Sequence, residues 1–228
     1  MSTVAGILFD MDGVLVDSEA LMAEAGAGMF MELHGVTVQP ADFTPFVGTG
    51  EDSYIGGVAR QYGIEYVANR DKERAYAIYL EIIKGRLQPL PGVREFIGAR
   101  RRQGLKLAVA TSADRIKLEG NLREIGVPAT AFDATVNGSE IERKKPFPDI
   151  FLLAAHRLGL RPGQCLVIED AVSGVQAAHA AGCRCLGLTG KDGTVLKQAG
   201  AEWIAPDLAH VPAPVMELFA GASSGSPA

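Results

Sequence analysis

Along the chain, short runs that are wholly or largely apolar alternate with stretches whose apolar residues recur every three or four positions. The first run, Val4 to Phe9, stops at Asp10; others cover Leu105 to Ala110, Ala134 to Val136, Cys165 to Ile168 and Cys185 to Leu188. A segment with no polar face suits a strand buried on both sides, as in a parallel sheet covered by helices. The helical patterns between these runs are Val93 to Arg102, Ile116 to Ile125, Pro148 to Leu158 and Val172 to Ala181, the last stopped by Gly182. Strands spaced by helices predict an α/β fold, a doubly wound, Rossmann-like parallel sheet.

Residues 17–88 break this rhythm. They hold three helical stretches, about 18–34, 51–62 and 70–85, and no buried strand, and they end at Pro89-Leu90-Pro91-Gly92, whose prolines restrict the chain to extended or turn geometry. The expected organisation is an α/β core from 1–16 and 89–220 with an inserted α-helical cap over 17–88. The tail, 221–228, is Gly, Ala, Ser and Pro only and is expected to be disordered.

Composition narrows the class. The 228 residues are 47% hydrophobic and 21% charged, which suits a compact soluble protein and excludes collagen, coiled coil and wholesale disorder. Net charge is −5, and no basic run is longer than the Arg100-Arg101-Arg102 triplet, so neither nucleic acid nor an anionic membrane is an expected partner. Cys165, Cys183 and Cys185 are too few and too clustered for a disulfide framework. With no basic leader followed by an apolar run, and no stretch near the ~20 apolar residues of a membrane span, a cytoplasmic location is expected, or the plastid stroma after loss of a transit peptide. A monomer or weak dimer is the expected assembly.

In open α/β sheets ligands bind outside the carboxyl ends of the strands, so the polar residues there are examined first. The first strand is followed by Asp10-Met11-Asp12-Gly13, two carboxylates two residues apart with a glycine that lets the backbone turn under a ligand. The next core strand leads into Thr111-Ser112-Ala113-Asp114, a hydroxyl and backbone N–H groups at an expected helix start, which makes an anion site. Lys144 and Lys145 precede Pro146, and Glu169-Asp170 closes a later strand. Taken singly these are turn, cap and surface residues. Gathered at one edge, three or four carboxylates would repel and lose hydration unless a divalent cation and an anionic ligand neutralised them together with the lysine.

In this order and on these strand ends, the four segments resemble the signature motifs of the haloacid dehalogenase superfamily of aspartate-nucleophile phosphatases, and the resemblance covers nearly the whole chain. The helical insertion and the segment Lys145-Pro-Phe-Pro-Asp-Ile-Phe151 resemble the branch that holds β-phosphoglucomutase, sugar-phosphate phosphatases and CbbY-type proteins. The cap text Phe43 to Asp52, with Thr111 to Lys117, is similar to a domain of this family within a multidomain plastid protein of plants.

The resemblance implies Asp10 as the nucleophile that takes the phosphoryl group and Asp12 as general acid and then base. It implies Mg2+ held by Asp10, the backbone carbonyl of Asp12 and Asp170, with Glu169 acting through water or from behind. Thr111, the N–H of Ser112 and Lys145 would bind the transferring phosphoryl, with Lys144 the rival for the lysine role. Asp12 argues against a carbon–halogen substrate, since dehalogenases lack that second aspartate. P-type ATPases carry threonine there and are far longer.

A phosphomutase is a second reading, weakened because Met22 stands where β-phosphoglucomutases carry histidine and Gly50 where they carry arginine. A non-catalytic binding domain is a third. A receiver-type signalling module uses similar chemistry but is much shorter and has no helical insertion. Substrate choice would lie in the cap, at Glu19, Gly50, Glu51, Asp52 and Tyr54, with Gly48-Thr49-Gly50 either a mobile loop or a turn. No basic cluster there signals a second phosphate, so the expected substrate is a small phosphorylated metabolite. His34, His156, His179 and His210 are scattered without ligand spacing, and Tyr76, Tyr79 and Ile83 share a face that reads as cap core.

Overall fold

The computed structural model describes residues 4–47 and 50–220, without the side chain of Glu51. The tail from Gly221 and the residues Gly48 and Thr49 of the cap loop lie outside the described residues. The elements in chain order are β1 (Gly6–Phe9), α1 (Glu19–His34), a 3-10 segment (Pro40–Phe46), α2 (Glu51–Gln61), α3 (Ala68–Ile82), α4 (Val93–Arg102), β2 (Lys106–Ala110) and α5 (Arg115–Glu124). They continue with β3 (Ala134–Val136), α6 (Asp149–Arg157), β4 (Cys165–Glu169), α7 (Val172–Ala181), β5 (Arg184–Leu188), α8 (Thr194–Ala199), β6 (Trp203–Ala205) and α9 (Ala213–Glu217).

All six strands are parallel, in the order β3-β2-β1-β4-β5-β6. The order reverses between β1 and β4, and that crevice is where a doubly wound sheet receives its ligand. Phe9 pairs in register with both Val109 and Ile168, so the residues that follow these strands emerge side by side.

Alternation along β1 builds the core on both faces. Ile7 and Phe9 enter the apolar cluster shared with α4, α5 and α9, where Phe9 meets Phe96 and Phe132 edge-on at 6.2 and 6.0 Å. Leu8 points the other way into the cluster of α6, α7 and α8. Burying each such side chain stabilises the fold by about 1.5–3 kcal/mol. The three cysteines are buried free thiols in the second cluster.

The helices α1 to α3 and the 3-10 segment join the first cluster rather than forming a separate core. Their way in and out is a narrow neck, in which Val16 bridges to Pro89 and the Leu90 N–H donates to the Leu15 carbonyl at 3.0 Å. The buried residues Met22, Ala25, Met29 and Phe30 form one face of α1. Phe43 of the 3-10 segment lies so close that a Cβ on Gly26 would fall 2.6 Å from its ring. None of the described helices is long and apolar enough to cross a membrane.

Candidate active site

β1 ends at Asp10, and the chain then folds back tightly: the N–H groups of Leu15 and Val16 both donate to the Met11 carbonyl. Gly13 sits in this turn at φ 76, with Asp170 packed against it, so a Cβ there would lie 1.9 Å from the Asp170 Oδ2. Gly174, in the first turn of α7, is equally constrained, since its Cβ would fall 1.8 Å from the Glu169 Oε1. The two glycines make room for two carboxylates.

Lys145 joins the acids. Its Nζ donates to Asp10 Oδ1 and to Glu169 Oε1, each at 2.5 Å, with side-chain exposures of 6, 11 and 1%. The other Glu169 oxygen accepts the backbone N–H groups of Asp170 and Ala171 at 2.9 and 3.0 Å, which aims that side chain inward. Oxygens of Asp10, Glu169 and Asp170 lie within 4.8 Å of one another, a group that could hold a metal ion. All its donors are carboxylate oxygens, which suit a hard divalent cation.

Burial pushes the Asp10 carboxyl up to about 7, with Lys145 opposing and Glu169 adding. Burial likewise raises Asp170 to about 8, with Asp10 and Glu169 adding. Burial alone would lower the Lys145 ammonium, but Asp10 and Glu169 hold it well above its usual range. The acids therefore carry more negative charge than one lysine satisfies, which fits a site for a divalent cation.

Of the residues expected from the sequence, Asp10, Asp12, Thr111, Ser112, Lys145, Glu169 and Asp170 line one cavity, with Glu19 and Gly50 on its cap side. Two expectations need correction, on Thr111-Ser112 and on Asp52, and the rival lysine is set aside. Thr111 and Ser112 do not open a helix: α5 begins at Arg115 behind Asp114, and the Thr111 hydroxyl accepts the Ala113 N–H at 3.1 Å inside a short loop. Lys144 turns away and donates to the carbonyls of Gly138 and Ile141, so the rival lysine braces a loop. Asp52 is engaged within the cap by Tyr66 at 2.9 Å and by Lys72 at 3.1 Å, and it does not line the cavity.

Glu51 lies outside the described side chains. Tyr54, Met22 and Phe46 form the apolar cap wall. Burial and the nearby Asp12 and Asp17 raise the Glu19 carboxyl.

Sequence reasoning missed Lys117 and the part played by Ser18. The Ser18 hydroxyl donates to Asp12 Oδ1, and Lys117 Nζ donates to Asp12 Oδ2 at 3.0 Å. The available signal was a lysine and an amide, Lys117 and Asn121, in register with Ile125 beside the apolar stripe of Leu118 and Leu122. The histidines lie elsewhere: His34 pairs with Asp71 and His210 with Asp207.

Comparison with known proteins agrees with this geometry. The chain is 42% identical over 227 residues to Protein SUPPRESSOR OF QUENCHING 1, chloroplastic, of Arabidopsis thaliana, covering 98% of this chain and 21% of that protein. It thus spans about a fifth of the length of that plant relative. It is 32% identical over 198 residues to the phosphorylated carbohydrates phosphatase of Thermotoga maritima, covering 86% of this chain and 91% of that one. The crystal structure of CbbY from Rhodobacter sphaeroides in complex with phosphate superposes with a TM-score of 0.79 at 27% identity, over 90% of this chain and 95% of that one. The profile of haloacid dehalogenase-like hydrolases matches residues 4–182. Because that match runs without a break from the strand that ends at Asp10 to the helix behind Asp170, the chain belongs to the haloacid dehalogenase-like hydrolase family.

Proposed function

We propose that the protein is a magnesium-dependent phosphatase that hydrolyses a small, sugar-phosphate-like monoester through a phosphorylated Asp10. The observation that carries this reading is the cluster of Asp10, Glu169 and Asp170 around buried Lys145 at the switch point of the sheet. Relatives named as phosphatases of phosphorylated carbohydrates and of hexitols support it. The donor set fits Mg2+, for which Asp10, Asp170, the Asp12 backbone carbonyl and Glu169 are the ligands we assign, Glu169 through water. When bound, the ion offsets the charge of the phosphoryl oxygens and of the carboxylates.

In the first step an Asp10 oxygen bonds to phosphorus, the bond to the leaving oxygen breaks with its electron pair, and Asp12 gives that oxygen a proton. Lys145, the Thr111 hydroxyl and the Ser112 N–H hold the phosphoryl oxygens as charge shifts onto them. In the second step a water oxygen bonds to phosphorus and its proton passes to Asp12. The electron pair of the breaking bond returns to Asp10. Each turnover restores both carboxyl groups, and the products are an alcohol and inorganic phosphate.

Among the described residues, the cap adds no lysine or arginine to the cavity lining, and Glu19 adds an acid. This favours a monophosphate with a neutral leaving group, and transfer to water over return to a bisphosphate. The chloroplast relative and the three buried free thiols support a reducing compartment, the cytoplasm or the plastid stroma.

The test is phosphate release from sugar phosphates, phosphoglycolate, nucleotides and p-nitrophenyl phosphate, with Mg2+ or EDTA, by the wild type and Asp10→Asn. Mg2+-dependent release that disappears with Asp10→Asn is expected. A folded wild type that releases phosphate from none of them would overturn the reading.

A further inference from the structure

Helix α5 turns an unusual stripe inward. Lys117, Asn121 and Ile125 repeat every four residues and are all buried, so a cation and an amide stand where a core-facing helix carries apolar side chains. A lysine only 5% exposed must meet an anion, and Lys117 Nζ donates to Asp12 Oδ2 at 3.0 Å. The Ser18 hydroxyl donates to the other oxygen of the same carboxylate.

On its far side Lys117 is covered by the cap. The ring of Tyr79, from α3, is centred 5.9 Å from the ammonium, and its hydroxyl donates to Asn121 Oδ1 at 2.5 Å. Asn121 in turn reaches with Nδ2 to the sulfur of Met11, at 3.5 Å, the residue between Asp10 and Asp12. One face of α5 thus touches the Asp12 side chain, the backbone neighbour of both aspartates, and a cap helix.

We propose that Lys117 is a positioning residue for proton transfer. With Ser18 it fixes the plane of the Asp12 carboxylate, and through Tyr79 and Asn121 it ties that plane to the seating of α3 on α5. The proposal rests on the phosphatase reading, and in particular on Asp12 as the proton donor and acceptor.

The two steps separate this role from a structural one. An alkyl phosphate needs the Asp12 proton when its P–O bond breaks, because an alkoxide is a poor leaving group. p-Nitrophenolate leaves as a stable anion and needs none. Hydrolysis of phosphorylated Asp10 needs Asp12 to take the water proton whichever substrate came first. A misplaced Asp12 therefore slows both steps with an alkyl ester but only the second with p-nitrophenyl phosphate.

The experiment compares the full-chain wild type, Lys117→Met and Lys117→Arg with Mg2+ by rapid mixing, using p-nitrophenyl phosphate and glycerol phosphate. For Lys117→Met we expect a burst of about one p-nitrophenolate per enzyme and then steady turnover slower than wild type by about 10²-fold, the size of effect that small misplacements produce. Its kcat and KM for that ester fall together while kcat/KM holds. For glycerol phosphate kcat/KM falls by about 10²-fold without a burst. Lys117→Arg restores part of the loss.

Tyr79→Phe, which deletes only the hydroxyl, serves if Lys117→Met does not fold, and shows the same pattern in weaker form. A raised KM at unchanged kcat would make Lys117 a substrate-binding group and overturn the proposal. An equal fall in kcat/KM with both esters, or no change in a folded variant, overturns it too. A wild type inactive on both esters sinks the phosphatase reading first, whereas wild-type turnover matched by Lys117→Met sinks the positioning role alone.

Discussion

Asp10 and Asp170 are held as acids of about 7 and about 8, because each is buried and faces other carboxylates. A divalent cation bound among them competes with protons. As pH falls from 8 to 6 the carboxyls protonate and the cation must displace them, so Mg2+ affinity is expected to weaken, by about tenfold per pH unit for each proton displaced. The folded-state values lie above the ordinary 3.8, so in the metal-free protein the stability these groups contribute is fully present below about 4 and lost as pH rises through 7 to 8. Mg2+ therefore raises Tm more at pH 8 than at pH 6. Titration calorimetry in buffers of different ionisation heat, with melting curves at both pH values, checks both parts; an affinity flat across this range contradicts the linkage.

Gly174 gives a second test at this scale. Gly174→Ala sets a methyl group 1.8 Å from Glu169 Oε1 and forces that carboxylate off Lys145. We expect destabilisation of about 1–3 kcal/mol and a loss of Mg2+ affinity or activity of about 10–100-fold, read by melting and by Mg2+ titration of phosphate release.

At the scale of elements, the cap is fastened to the core along α3 and α5. Lys72 pairs with Asp52 of α2 and with Asp114 at the head of α5, at 3.1 and 3.0 Å, and Leu80 packs where a Cβ on Gly120 would lie 2.4 Å away. Partly exposed pairs of this kind contribute up to about 1 kcal/mol. Lys72→Met is expected to loosen the seating by that amount, raising KM about fivefold with little change in Tm. Steady-state kinetics beside a melting curve would show this, and an unchanged KM would mean that the pairs do not hold the cap over the substrate.

Much of this scale was legible in the sequence. Buried strands announce themselves as short, largely apolar runs, and their polar terminators Asp10, Thr111 and Glu169-Asp170 came with them. The 3-10 segment Pro40–Phe46 was not legible, because its two prolines and its tighter winding leave no 3.6-residue period. Asp52 looked like a ligand-binding acid because nothing local says that Tyr66 and Lys72, many residues on, take up its charge. Lys117 was passed over for the converse reason: its partner lies 105 residues away in sequence. Pairings made by packing leave only an out-of-place polar residue as their trace.

At the scale of the whole molecule, the division into cap and core raises the question of whether the two fold as one. All five tyrosines, 54, 62, 66, 76 and 79, fall in the inserted segment, on α2, α3 and the loop between them, while the single tryptophan, Trp203, lies on edge strand β6 under the Arg184 guanidinium at 4.4 Å. Tyrosine near-UV circular dichroism thus reports the helices, and tryptophan fluorescence reports the far side of the sheet. The two regions share one apolar cluster that runs from Phe43 and Tyr76 to Phe9 and Phe219. They also share the buried Tyr79–Asn121 bond and the bond from the Gly85 N–H to Glu124 at 2.6 Å. Opening the helices alone would expose the apolar face of α5 and strand the buried Lys117 beside Asp12, a cost that unfolding everything together shares with the rest of the core. Urea unfolding followed by the two signals is therefore expected to give one coincident transition with the same midpoint and slope. If the tyrosine signal collapsed at lower urea than the tryptophan signal, the helices would be an independent unit, and their contacts with α5 would be too weak to carry cap position to Asp12.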